Sequence, residues 1–238
     1  MALFDYVSGT SDWADDTTAG LGPLSLSVTS GNLVVFIGKW ETGGASDAAT
    51  FTLDDGGRGL SWSTRVYQNA GSSTPDCKIG IAWAKVGSTG TATVTGTIST
   101  TRGFREFHLH QLEMGDGYTP SEIASTTGNS TTAVGTWSAT SVTAAVDDLL
   151  AVVVATGGGN FTVSATSPLT LQANAQGRSK FCSAKAASSG STSLGGSITD
   201  DNHVYAAAGF QLRVSGGGGG SNANLLTGKL SGLLAGKL

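Results

Sequence analysis

Charge is what this 238-residue sequence has least of: Lys, Arg, Asp and Glu make up 13% of it, with 13 basic and 17 acidic side chains and a formal net charge of −4. An acidic chain without clustered Lys and Arg lacks the electrostatic footprint that a phosphate backbone needs, so nucleic acid is not an expected partner. Two cysteines, Cys77 and Cys182, are too few for a disulfide scaffold and read as two separate, partly buried thiols. No run of about 18 apolar residues is present, so no membrane-spanning helix is expected. The opening stretch MALFDYVSGTSDWADD has neither the basic start nor the apolar centre of a secretory signal, and synthesis in a cytoplasm is the expectation. Catalytic signatures are missing as well. There is no Gly-x-Ser-x-Gly elbow, and serine is too common for any one to stand out. No catalytic residue, metal or cofactor is therefore expected.

What the chain does have is glycine, 36 residues of it, and compact apolar runs such as Leu33-Val34-Val35-Phe36-Ile37. Strong helix formers are sparse and β-branched residues abundant, which points to an all-β fold. Ser25–Thr29 alternates, and Leu33–Trp40 is nearly continuous apolar, as in a central strand. Further strands are expected at 60–67, 78–86, 91–98 and 104–114. Ile79, Ile81 and Trp83 would share one face by the period of two. Turn signals such as Asp55-Gly56-Gly57 and Gly157-Gly158-Gly159 separate these runs, so a sandwich or jelly roll is the expected architecture.

The sequence also repeats. CKIGIAWAKVGSTGTATVTGTIST, from Cys77, aligns without a gap on GRSKFCSAKAASSGSTSLGGSITD, from Gly177. Ala84-Lys85 falls on Ala184-Lys185, Gly96 on Gly196, Ile98 on Ile198 and Gln111-Leu112 on Gln211-Leu212. Upstream, Leu33–Phe36 matches Leu149–Val152 and Phe51-Thr52 matches Phe161-Thr162, in the same order. Separate matches in one order indicate an internal duplication. The pseudo-repeats cover about 20–115 and 134–214 within a body spanning 1–214. Gly115–Thr136, rich in Ser, Thr and Gly, reads as the link between them.

Candidate sites are few. His108 and His110 are two apart in FREFHLHQLEM, so on a strand they face one way, and His203 is a conceivable third ligand. The repeat, however, puts Ala208 and Phe210 at their positions, which suggests a packed face instead. The pairs Asp15-Asp16, Asp54-Asp55, Asp147-Asp148 and Asp200-Asp201 suit calcium but equally suit ordinary turns. Of Trp13, Trp40, Trp62, Trp83 and Trp137, Trp62 in LSWSTRVY has the most polar surroundings and is the candidate for glycan stacking.

The order SGNLVVFIGKW … CKIGIAWAKVGSTGTATVTGTIS … FHLHQLEM … DDLLAVVVATGGG … SLGGSITDDNHVYAAAGFQLRV resembles a jelly-roll domain of the concanavalin A-like type. Such domains occur in phage virion proteins and bacterial surface proteins. The resemblance covers about residues 20–214 and departs from the family at Val86-Gly87-Ser88, where a pair of prolines is usual. It implies that both halves build one sandwich, serving display, assembly or glycan contact, and it carries no catalytic residue.

Beyond the body, 215–224 reads as a flexible glycine-rich linker and 225–238 as an anchoring tail. In the tail, Gly228, Gly232 and Gly236 would lie on one ridge of a helix, and Leu226, Leu230, Leu234 and Leu238 on another. Four buried leucines contribute about 6–12 kcal/mol. Ordering the segment takes up a similar amount, so attachment should depend on many copies acting together. The expected function is a non-enzymatic structural protein of the phage virion, a capsid decoration or a head or tail appendage. It would bind capsid or tail proteins and sister copies, without nucleic acid or membrane. The alternative is a lectin-like module that contacts a host surface glycan.

Overall fold

Two nearly continuous apolar runs organise the molecule, because each becomes a strand buried on both faces. The computed structural model describes residues 3–14, 21–42, 47–70, 77–100, 103–130, 132, 134–157, 161–172, 177–199 and 204–216. Among these residues there is no α-helix, and hence none long enough to cross a membrane. The first half contains β1 (Tyr6–Ala14), β2 (Leu24–Val28), β3 (Leu33–Glu41), β4 (Phe51–Asp54), β5 (Val66–Asn69), β6 (Cys77–Lys85), β7 (Gly90–Ile98) and β8 (Arg105–Leu112). The second half contains β9 (Tyr118–Asn129), β10 (Thr136–Ala144), β11 (Leu149–Thr156), β12 (Thr170–Leu171), β13 (Ser179–Lys185), β14 (Gly190–Ser197) and β15 (Tyr205–Gly216).

Strand order makes the duplication explicit. The first half forms a sheet β1-β8-β3-β6-β5 and a smaller sheet β2-β7-β4. The second forms β9-β15-β11-β13-β12 and the pair β10-β14, to which the bridge Val163–Ile198 adds a remnant of the strand equivalent to β4. All pairings are antiparallel, and successive strands alternate largely between the two sheets, which is the jelly-roll winding. The registers agree to the residue. Leu33 lies between Lys85 and Leu112, and Leu149 between Lys185 and Leu212.

Each half thus builds its own pair of sheets, where the family resemblance implied one pair shared by both. The two five-stranded sheets then pack face to face, giving four layers. Leu33, Val35 and Ile37 of β3 meet Leu149, Ala151 and Val153 of β11 in this central seam, together with Ile79, Ile81, Phe181 and Phe210. The intervening residues Val34, Phe36 and Trp40 face an outer core under β2-β7-β4, and Leu150, Val152 and Val154 face its counterpart under β10-β14. Burial on both faces is why these strands show no alternation in sequence. Cys77 in the seam and Cys182 in the second outer core are buried, and they are not joined in a disulfide.

The expected link Gly115–Thr136 is mostly strand. Residues 118–129 form β9, paired with β15 along its length, and β9 is the counterpart of β1. The repeating unit therefore begins near 6 and 118, upstream of the boundaries 20 and 134. β9 alternates between exposed and half-buried residues, and being outermost it can hold Pro120 without losing an interior ladder. The expected strand 60–67 is shorter and later, at Val66–Asn69. Trp83 does share the seam face with Ile79 and Ile81, as the period of two required.

The winding gives the molecule two unlike poles. At one, strands join through the short connections 29–32, 86–89, 113–117, 145–148 and 186–189. The turns before β3 and β11 match in detail. Gly31 and Asp147 occupy equivalent positions with φ of 81° and 69°. A Cβ at Gly31 would lie 2.1 Å from the Asp116 nitrogen, so this copy of the turn needs glycine. The next residue braces each turn. Asn32 Oδ1 accepts from the Met114 amide, and Asp148 accepts from the Ala145 amide, Gln211 and Arg213. At the opposite pole, the long-loop pole, β1, β3, β5 and β14 end, and the sequence intervals to the next strands are longer. One long connection, 55–65, lies instead at the first pole, where Arg58 donates to the carbonyls of Ser88 and Thr91. β15 runs toward the short-turn pole, so the chain leaves the body there, at Gly216 beside Tyr118.

Candidate functional site

The seam-facing side of β8 carries Glu106, His108, His110 and Leu112 in alternation, and only the last is apolar. At the long-loop pole these residues meet the start of β13. Ser179 Oγ donates to Glu106 Oε2 at 2.9 Å, and the Arg178 amide donates to the same oxygen at 3.0 Å. Since the Ser179 hydroxyl proton is committed, its oxygen accepts from His108 Nε2 at 2.8 Å. The same His108 nitrogen lies 3.1 Å from Glu106 Oε1.

A serine, a histidine and a glutamate in contact invite comparison with a nucleophilic triad. The geometry differs from one. A triad's base uses its two ring nitrogens separately, one toward the nucleophile and one toward the acid. Here His108 uses Nε2 for both, and Nδ1 has no hydrogen-bond partner. Ser179, His108 and Glu106 are all nearly inaccessible to solvent. The cluster is a polar brace between the two halves.

Its neighbours are unusual for a seam. His110 stacks on Phe181 at 4.8 Å and on His108 at 5.7 Å, and Tyr6 Oη approaches its Nδ1 at 3.4 Å. Burial, and then the adjacent His108, hold His110 down to about 3. Lys39, on the seam face of β3, is wholly buried and its Nζ has no hydrogen-bond partner. Nζ instead lies 4.2 Å from the centre of the Phe104 ring. Burial above all pulls the Lys39 ammonium down to about 8, although nearby Glu106 and Glu41 favour its charged form.

Phe104 is the hub of this pole. The Arg178 guanidinium lies 3.9 Å from its ring centre, and Arg178 also pairs with Glu41 at 3.2 Å, tying the second half to the first. Trp13, near the end of β1, stacks on Phe104 with an interplanar angle of 19° and a centroid separation of 5.9 Å. It is 59% exposed. Trp13 lies opposite Glu106 in the β1–β8 register, so it occupies the seam side of the outermost strand.

The residues singled out in the sequence are dispersed. Trp62 is half-buried, packed against the first outer core and set edge-on to Phe36 at 6.3 Å. His108 and His110 face the seam, while His203 lies outside the described residues. No three His, Cys, Asp or Glu side chains among the described residues converge to hold a metal ion. Asp54 and Asp55 cap their own turn by accepting from the amides of Gly56, Gly57 and Arg58. Asp147 pairs with Lys185 at 3.3 Å. Asp15-Asp16, Asp200-Asp201 and the tail residues Leu226, Gly228, Leu230, Gly232, Leu234, Gly236 and Leu238 lie outside the described residues.

A shallow groove of about 490 Å³ runs along β14, lined by Ser138, Thr166, Pro168, Ser188, Ser193 and Leu194 among others. Among the described residues that line it are hydroxyls and small apolar groups, with no charged or aromatic side chain. The sequence reading weighed Trp13 among the tryptophans but preferred Trp62, and it missed Lys39, Glu41 and Arg178. A lysine inside the apolar run Leu33–Trp40 was the one available signal. No family model matches this chain, and comparison with curated proteins and with solved structures found no similar one.

Proposed function

We propose that this protein is a non-catalytic structural component of a phage particle, a capsid decoration or a head or tail appendage. On this reading the segment 225–238 attaches it to shell or tail proteins and to sister copies. The reading is supported by one observation above the others, the polarity of the body. The last described strand ends at Gly216 on the short-turn pole, opposite the pole that carries the exposed Trp13. A body fastened by a strap at that exit would turn its long-loop pole outward. The sequence resemblance to concanavalin A-like virion domains agrees with this role. So does the character of the polar clusters, which brace the fold: Glu106, His108 and Ser179 are buried against one another.

The test is a pair of chains, full-length and truncated after Val214, offered to assembling particles. Full-length protein should co-purify with gradient-banded particles in a fixed ratio. The truncated body should fold with an unchanged circular dichroism spectrum and be lost from the particle band. Equal incorporation of both would remove the tail from the account. Absence of full-length protein from the particles would end the virion reading.

A further inference from the structure

Of the five large hydrophobic residues exposed among the described residues, Val7, Trp13, Ile123, Val146 and Leu171, Trp13 alone sits at the long-loop pole. Its setting differs from that of a stray surface aromatic. The ring is held parallel on Phe104, which is itself buried and fixed by Lys39 and Arg178. One indole face is thus anchored and the side chain is still largely open to solvent. The Arg178 guanidinium lies on the same Phe104 ring, and its pair with Glu41 is partly exposed, 23% and 37%, with guanidinium donors next to carboxylate acceptors. Along β1 the preceding residues are Thr10, Ser11 and Asp12, of which Ser11 shares its side of the strand.

We propose that Trp13, which shares its Phe104 support with the Arg178–Glu41 pair, is a binding ledge for a neutral pyranose unit of a glycan. A pyranose has an apolar C–H face that packs on a flat ring and a rim of hydroxyls that both donate and accept. A ledge with one aromatic face and a donor–acceptor pair matches that division. A protein partner fits less well. Stable interfaces need roughly 1,000 Å² or more with an apolar centre, and an isolated aromatic among Thr, Ser and Asp does not supply one. An acidic sugar fits less well too, because the Arg178 charge is already met by Glu41. The site is distinct from the half-buried Trp62 and is independent of the virion reading, since it lies on the body and not on the tail.

The experiment uses the full chain on an array of neutral hexoses, N-acetylhexosamines and uronic acids displayed as oligosaccharides. The best neutral binder is then titrated by calorimetry against variants. Trp13→Ala should weaken binding by at least about tenfold, equivalent to about 1.4 kcal/mol, with an unchanged melting temperature. Trp13→Phe should keep part of the affinity and Trp62→Phe nearly all of it. Glu41→Gln should shift preference among sugars that differ in one hydroxyl. Retention of no neutral glycan, a preference for uronic acids, or binding that survives Trp13→Ala would each overturn the assignment.

Discussion

At the scale of the residue, the seam holds two side chains that resist carrying charge. Lys39 is pulled down to about 8 from an ordinary value of 10.5 because burial removes its hydration. Below about pH 8 it is charged in both folded and unfolded chains, and the folded state bears the full desolvation cost. Between about 8 and 10.5 the folded state sheds the proton first, so stability should rise with pH there. Lys39→Met should therefore raise stability at pH 7 by about 1–3 kcal/mol and abolish that rise. Urea denaturation at pH 7 and pH 10 checks both. His110 has the same sign at lower pH. Its folded value of about 3 lies under an ordinary 6.5, so the unfolded chain binds a proton that the folded one refuses. Stability should fall below about pH 6.5, by about 1.4 kcal/mol for each pH unit down to about 3. The second half has Phe210 at the equivalent position, in the same seam, so phenylalanine is a natural replacement. His110→Phe should flatten the acid limb, read from melting temperatures at pH 4, 5 and 7.

At the scale of the element, legibility followed burial. β3 and β11 announced themselves as unbroken apolar runs, and β6 by the spacing of Ile79 and Ile81, because those residues pack into cores on known faces. The equivalence of the Lys85 and Lys185 regions was readable because the duplication kept side chains that a sheet interior constrains, and the matching registers agree with it. β1 and β9 were not readable. They are outermost strands of small polar residues, half exposed, so neither hydrophobic periodicity nor composition separates them from loop. Trp13 was passed over in favour of Trp62 for the same reason, since its setting depends on Phe104, a partner distant in sequence. That β9 is a packed strand rather than a link has a sharp test. A Cβ at Gly128 would lie 1.9 Å from the Ser138 carbonyl oxygen, where β9 crosses β10. Gly128→Ala should cost about 3 kcal/mol or more, whereas Gly87→Ala, with open space around it, should stay within about 0.5 kcal/mol. Thermal melts of the two variants side by side decide it.

At the scale of the whole molecule, the seam makes the two jelly rolls dependent on each other. Apart from the polar cluster around Glu106, His108, His110 and Lys39, each five-stranded sheet is mainly apolar on its inner face, and separating the halves would expose Leu33, Val35, Ile79 and Ile81 on one side and Leu149, Val153, Phe181 and Phe210 on the other. The polar contacts across the seam, Glu106 with Arg178 and Ser179, Glu41 with Arg178, and Trp83 Nε1 with Glu122 at 3.0 Å, fix how the halves sit. Residues 1–116 expressed alone should aggregate or bind a hydrophobic dye. Co-expressed with 117–238, the two fragments should co-purify as a one-to-one complex, measured by size exclusion with light scattering. Two soluble, non-interacting fragments would contradict a shared seam.

The exit of the chain also sets how the body bears load. β15 lies between β11 and β9 and is hydrogen-bonded to both, and the chain continues from its end at Gly216. A pull on that exit, away from the long-loop pole, runs along the strand. It would strain both ladders of β15 in shear, with all their bonds resisting together, rather than peel them one at a time. The first half would feel that force through the 113–117 connection into β9 and through the seam, where it is spread over a whole sheet face. A tether at Gly216 is thus fixed to the part of the second jelly roll best able to stand drag on whatever the far pole holds.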